Sequence, residues 1–248
     1  MSALRQASVI ELDYPETDGK PMAETDKHRD LMIELIEQLK THFQDEPMVY
    51  VSGNMLLYYE EGNSKKRLAP DVFVVRGVPK HQRRVYKLWE EGRAPDVVFE
   101  ISSRGTWGED LQTKWQRYAQ MGIREYFIFD PEYDYLKPAL NAYRLVNGEY
   151  KQIKTLGGVV ASKTLGLELI DTGKTLRLRN PLTGQYLPTR DEGLQHQLIT
   201  ETRLQMAETH LQNEAQQRQA AEARANTAES ELQRLRVELT TLKRKESR

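Results

Sequence analysis

The 248-residue chain contains no cysteine, which excludes disulfide staples and thiolate metal sites. It also lacks any stretch approaching the roughly 18–20 apolar residues of a membrane span. Its opening segment, MSALRQASVIELDYPETDGK, lacks the apolar core of a secretory leader. Net charge is almost absent. The 36 Lys and Arg against 37 Asp and Glu leave −1, so no global basic field draws in nucleic acid and any such contact must be local. A hydrophobic share of 38% suffices for one core but is low for a chain that is globular throughout, and 29% charged residues point to a part solvated on all sides. The expectation is a cytoplasmic protein, with no membrane partner, in which a folded unit carries a solvated segment.

Glycine and proline vanish after Gly193. Leu204, Leu211, Arg218, Ala225, Leu232 and Leu239 then follow one seven-residue register. Ala207, Glu214, Ala221, Ala228, Leu235 and Leu242 stand three residues after each. Ten of these twelve positions are Leu or Ala, which is the a/d pattern of a coiled coil, weak in its middle where Glu214 and Arg218 fall on the seam. Charges from 194 to 248 nearly cancel, nine basic against eight acidic. A C-terminal helical coiled coil that self-associates is therefore expected over 194–248, with a solvated single helix as the alternative.

Residues 24–193 read as one α/β domain behind an N-terminal extension, 1–23. ETDKHRDLMIELIEQLKTHF opens with cap-like polar residues, and Leu31, Ile33, Leu35, Ile36 and Leu39 give it an apolar face at helical spacing. Strand-like MVYVSGNMLLYY, the turn EEGNSKKRLA and the strand PDVFVV follow. KHQRRVYKLWEEGR is a basic insert with the composition of a short helix. PDVVFEI reads as a second apolar strand. EDLQTKWQRYAQMG reads as a helix with Leu111, Trp115, Tyr118 and Ala119 on one face and Gly122 closing it. REYFIFD is a further strand, LNAYRLVNGEYKQI a hairpin across Asn147-Gly148, and KTLRLRN one of several short strands after it.

Two acids interrupt this apolar pattern. Asp71 opens the strand DVFVV directly after Pro70, and Glu100 stands inside DVVFEIS where a buried strand should carry Val or Ile. A buried carboxylate is costly unless paired or bound to a cation. Two on neighbouring strands suit a hard cation such as Mg²⁺ or Mn²⁺, which takes oxygen ligands and keeps several waters. Asp110 and Lys114 sit four apart on one helix face, so Lys114 is placed to lean toward the strand ends. The simpler alternatives are a turn residue for Asp71, a salt-bridged acid for Glu100 and a surface ion pair for Lys114 with Asp110. His28 reads as a surface or capping residue, and Trp115 and Tyr118 as core.

PDVFVV followed by PDVVFEISSRGTWGEDLQTKWQRYAQMGIREYFIFDP resembles the Uma-two type of restriction-endonuclease-like protein in the PD-(D/E)XK nuclease superfamily. The resemblance spans about residues 24–170. Its most specific part is Asp110, Lys114, Tyr118 and Gly122 at four-residue steps, followed by EYFIFD. It implies a mixed central sheet flanked by helices and Mg²⁺-dependent phosphodiester hydrolysis. By motif position Asp71 and Glu100 match the metal acids, with the backbone carbonyl of Ile101 as a further ligand. The superfamily lysine usually stands two residues after the second acid, where this chain has Ser102; Lys114 matches the helix-borne lysine of the subgroup. Ser102, Asp110 and Glu34 are candidates for accessory roles.

Lys65, Lys66 and Arg67 form one basic group before Asp71, and Lys80, Arg83, Arg84 and Lys87 a second after it. Both flank the acid pair in sequence and are candidates for phosphate contacts with DNA, the alternative being solvated loops. The function expected is a metal-dependent DNA endonuclease. The alternative is a non-catalytic nucleic-acid-binding or coiled-coil interaction protein on a nuclease-like core.

Overall fold

The computed structural model describes residues 13–17 and 25–246, with side chains to residue 240 in the last helix. In chain order the elements are α1 (Asp26–His42), β1 (Val49–Ser52), β2 (Leu57–Tyr58), β3 (Arg67–Leu68), β4 (Val72–Arg76), β5 (Tyr86–Lys87), α2 (Leu88–Glu91), β6 (Val97–Ile101) and α3 (Trp107–Glu109). A π-helical turn (Asp110–Lys114) runs on into α4 (Trp115–Gln120). Then come β7 (Glu125–Phe129), β8 (Leu140–Val146), β9 (Glu149–Gln152), β10 (Val159–Ser162), β11 (Leu167–Asp171), β12 (Leu176–Arg179) and α5 (Arg190–Glu246). The chain divides into two units, 1–190 and 191–248.

In the first unit six strands form a mixed sheet in the order β1-β4-β6-β7-β8-β9. β6 and β7 are parallel and the other neighbours antiparallel. The parallel pair is joined through α3, the π turn and α4, the crossover that two parallel strands require. Alternation along β6 sends Val97, Phe99 and Ile101 into a core shared with Leu31, Leu35 and Leu39 of α1 and with β10–β12. Val98 points the opposite way, into a core with Tyr118, Tyr126 and Ile128. The sheet is thus covered on both faces, and the mixed sheet with flanking helices expected above is what the chain forms.

α1 starts where its sequence says. Thr25 has extended backbone angles and its hydroxyl accepts from His28 N at 3.2 Å, an N-cap. The buried stripe is His28, Leu31, Met32, Leu35, Gln38 and Leu39. Ile33, expected on the apolar face, is exposed, because the stripe that meets the sheet runs one residue away from it. Asn147 and Gly148 both have positive φ (53° and 82°) between the paired Val146 and Glu149. That is the type I′ turn which matches strand twist, so the hairpin lies where Asn-Gly placed it. In KHQRRVYKLWEEGR the helix is a single turn, α2, preceded by β5.

The second unit is α5. Gly193 lies inside its first turn rather than before it. Leu204, Leu211, Leu232, Leu235 and Leu239 are all 56–64% exposed within the one chain. Leu242 lies beyond the described side chains. No described helix is long and apolar enough to cross a membrane.

Candidate active site

Glu100 is 1% exposed. Alternation gives it the same face as Val98, the face that the crossover helix covers. That helix supplies both of its partners. Lys114 Nζ donates to Glu100 Oε2 at 2.8 Å, and the Tyr118 hydroxyl donates to Oε1 at 2.5 Å. Lys114 Nζ is also 2.9 Å from Asp110 Oδ1, and Ser102 Oγ donates to Asp110 Oδ2 at 3.0 Å. Ser102 is therefore joined to Lys114 through the Asp110 carboxylate. The widened π turn spans Asp110 to Lys114 and keeps both side chains, and Tyr118 one turn on, directed at the end of β6. Such bulges recur at functional sites. The Tyr126 hydroxyl, donating to Asp110 O at 2.9 Å, fixes the turn to β7.

Asp71 stands just before β4. Its Oδ2 accepts from Ile101 N at 2.6 Å and lies 3.3 Å from His28 Nε2 on α1. In a strand the N–H and C=O of one residue point the same way, so the Ile101 carbonyl faces the Asp71 side. Gly53 makes this packing feasible: a Cβ there would lie 1.9 Å from Asp71 O and 2.8 Å from a methyl carbon of Ile36. Only the bare backbone fits so close.

Electrostatics distinguish this cluster from the other buried acids. Asp96 accepts from Arg76 N and pairs with Arg124; Glu125 accepts from Arg144, Ser162 and the amides of Lys163 and Thr164; Asp130 accepts from four backbone amides. Each of those is matched by its own donors. Glu100 instead shares one cation, Lys114, with Asp110, and Asp71 adds its field to Glu100 and Lys114. Burial pushes the Glu100 carboxyl well above its ordinary range, with Asp71 and Asp110 adding to the shift and Lys114 opposing it. Burial disfavours charge on Lys114, but Glu100, Asp110 and Asp71 outweigh it, so the ammonium is held protonated. Burial, then Glu100, raises the Tyr118 hydroxyl, which therefore stays a donor.

Glu100 and Asp110 around one ammonium, with Asp71 nearby, carry two negative charges beyond that of the ammonium when all three are ionised. A divalent cation would neutralise both, and carboxylate and carbonyl oxygens are the donors a hard cation takes. Among the described residues no three His, Cys, Asp or Glu side chains converge to hold a metal by themselves. Two carboxylates and a carbonyl, completed by water, are the donor set such a cation would be offered here. Each carboxylate has about four lone-pair positions, and Lys114 and Tyr118 take two of those on Glu100.

Asp71, Glu100, Ile101, Ser102, Asp110 and Lys114 thus come together as one cluster. Glu34 lies on α1, where its Oε1 accepts from Gln38 Nε2 at 2.9 Å. Two members were missed. His28 is 5% exposed and faces Asp71, which corrects its reading as a surface or capping side chain: the first turn of α1 packs over the end of the sheet. Tyr118 is core as read, but its hydroxyl also holds Glu100. Its four-residue step from Lys114 was the available signal. The surface-pair reading of Lys114 with Asp110 fails, because Asp110 is 0% exposed.

Most of the basic residues are engaged within the chain. Lys66 lies 4.0 Å from Glu60, Arg67 donates to Ser64 O at 3.0 Å, and Lys80 donates to Phe43 O and Gln44 O. Arg83 grips Glu91 with two bonds and stacks on Tyr50; Arg84 pairs with Glu16 and Lys87 with Glu90. Lys65 sits in the turn before β3, its amide bonded to Asn63.

A family model described as "Putative restriction endonuclease" (Uma2) matches residues 10–173. Among solved structures the chain is similar to one titled "a putative nuclease belonging to DUF820 from Anabaena variabilis ATCC 29413". Sequence identity is 16% and the TM-score 0.44, over 61% of this chain and 86% of that one. The search of curated proteins returned no match.

Proposed function

The chain belongs to the Uma2 family, described as "Putative restriction endonuclease", and from that membership we propose that it is a divalent-cation-dependent nuclease that hydrolyses phosphodiester bonds in DNA. The observation that carries the reading is the buried cluster in which Glu100 and Asp110 share Lys114 while Asp71, held by Ile101 N–H and His28, adds its field. Structural acids elsewhere in the same sheet are matched by their own donors; this group is short of positive charge where a nuclease of this family would use it.

Asp71, Glu100 and the Ile101 carbonyl would hold Mg²⁺ or Mn²⁺. When bound, the cation supplies Lewis-acid polarisation of the phosphate and acidifies an attacking water. The remaining work falls to the chain. Ile101 N–H and His28 hold the Asp71 carboxylate in place. Tyr118 and Lys114 hold the two oxygens of Glu100. Lys114 keeps its proton, so its ammonium offsets charge on the phosphoryl oxygens as the water oxygen bonds to phosphorus and the bond to the leaving oxygen breaks. Asp110, anchored by Ser102, sets the lysine head from the other side.

One observation favours a second reading, a non-catalytic nucleic-acid-binding or interaction protein on this core. Both Glu100 oxygens already accept strong hydrogen bonds. Nicking of supercoiled plasmid separates the two. The nuclease reading expects relaxed product in Mg²⁺ or Mn²⁺, none in EDTA and none from Glu100→Gln. Absence of nicking in both metals, or equal nicking by the variant, overturns it.

A further inference from the structure

We infer that α5 is one strand of a parallel, in-register, two-stranded coiled coil formed with a second copy of this chain. The 57-residue helix is about 85 Å long at 1.5 Å per residue. Among the described residues of one chain, its apolar seam stays uncovered: the five leucines at a and d positions each remain more than half exposed. An uncovered seam of that length needs a partner helix. The flanking charges identify the partner and its direction.

With Leu204 at a, the g positions are Arg203, His210, Gln217, Arg224, Glu231 and Glu238, and the described e positions are Glu208, Ala215, Glu222, Glu229 and Arg236. In a parallel in-register pair, each g residue faces the e residue five places on in the partner. The contacts are then Arg203 with Glu208, Arg224 with Glu229 and Glu231 with Arg236, each formed twice by symmetry. Of the remaining described contacts, His210 meets Ala215 and Gln217 meets Glu222, so no like charges meet at e and g. Antiparallel pairing instead sets e against e and g against g. If it is centred so that Arg218 meets Glu214 of the second copy, it brings Glu208 against Glu222 and Glu201 against Glu229. The parallel pair does set Arg218 against Arg218 and Glu214 against Glu214 at its seam, a local cost. These two lie four apart with the acid N-terminal, the favourable order for pairing along one helix. Polar seam residues of this kind cost stability but fix register.

Because each chain enters α5 at residue 190, parallel pairing joins both first units to the same end of the coil. Two sites at one end would suit cleavage of both strands of a duplex. That consequence rests on the nuclease reading, whereas the pairing does not.

The chain has no cysteine, so single-cysteine variants of the full-length protein report the pairing directly. Ala207→Cys and Ala228→Cys, both at d and three heptads apart, should each give a disulfide-linked dimer as the main product on mild oxidation. Ala223→Cys, facing outward at f, should not. Antiparallel helices can bring at most one of the two d positions onto itself, so failure of either one overturns the parallel register. A monomer by sedimentation of the wild type overturns the pairing altogether. Arg224→Glu should weaken the dimer severalfold, and adding Glu229→Arg should restore it. Neither residue has a charged neighbour three or four places away in its own helix, so lack of rescue contradicts the inter-chain contact.

Discussion

Tyr118 and Glu100, both buried, are joined by a 2.5 Å hydrogen bond, with the hydroxyl donating to Oε1 while Lys114 holds Oε2. An aromatic side chain of the core thereby fixes the orientation of the carboxylate assigned to the cation. Tyr118→Phe keeps the ring in its packing and deletes only the donor. Loss of one partner from a buried pair costs about 1–3 kcal/mol. Urea unfolding should show a loss in that range, and plasmid nicking should fall while the far-ultraviolet spectrum stays unchanged. Unaltered nicking would make the bond purely structural.

Lys114→Ala should lower nicking by at least about two orders of magnitude, the scale for one preorganised electrostatic group. It should also destabilise the metal-free protein by about 3–5 kcal/mol, because acids that shared a buried cation are left unmatched. Ser102 Oγ already touches Asp110, the second carboxylate on Lys114. Ser102→Lys in the Lys114→Ala background should therefore recover part of the activity. Full activity of Lys114→Ala alone would return the lysine to a structural role.

Gly53→Ala tests the close approach under Asp71. The added Cβ meets backbone, Asp71 O at 1.9 Å, which cannot rotate away. The expected cost is about 1–3 kcal/mol, as for overpacking, together with weakened cation binding as Asp71 shifts. A variant as stable and as competent in binding as the wild type would show that the loop yields freely.

Metal-free protein should respond to pH through Glu100. Burial, reinforced by Asp71 and Asp110 and opposed by Lys114, raises its carboxyl well above 4.5. The folded state then binds the proton more tightly than the unfolded chain. This contribution to stability is complete below about pH 4.5 and is lost as pH rises through the folded value. In EDTA the wild type should lose resistance to urea, relative to Glu100→Gln, as pH rises from 4.5 into the neutral range. Parallel pH curves for the two proteins would contradict that account.

The sheet and the acids on it were legible because local rules governed them. Glu100 broke an apolar run, Asn147-Gly148 named its turn, and Asp110 and Lys114 stood at a helical step. What stayed hidden depended on contacts across the fold. His28 looked like the first turn of a surface helix, because nothing local says that this turn packs over the sheet end. The hydroxyl of Tyr118 was masked by its ring, which fits an apolar stripe whether or not the oxygen has a partner. The π turn has no single-residue signature. Arg83 read as a phosphate contact, yet it meets Glu91 eight residues away only because β5 and α2 fold the insert back.

The central claim is that Asp71 and Glu100 form a cation site. Calorimetric titration of Mn²⁺ into the full-length metal-free protein measures this without any assay of cleavage. The account predicts one site per chain in the wild type, retained in Lys114→Ala and lost in the Asp71→Asn, Glu100→Gln double variant. No binding by the wild type, or equal binding by the double variant, would contradict it.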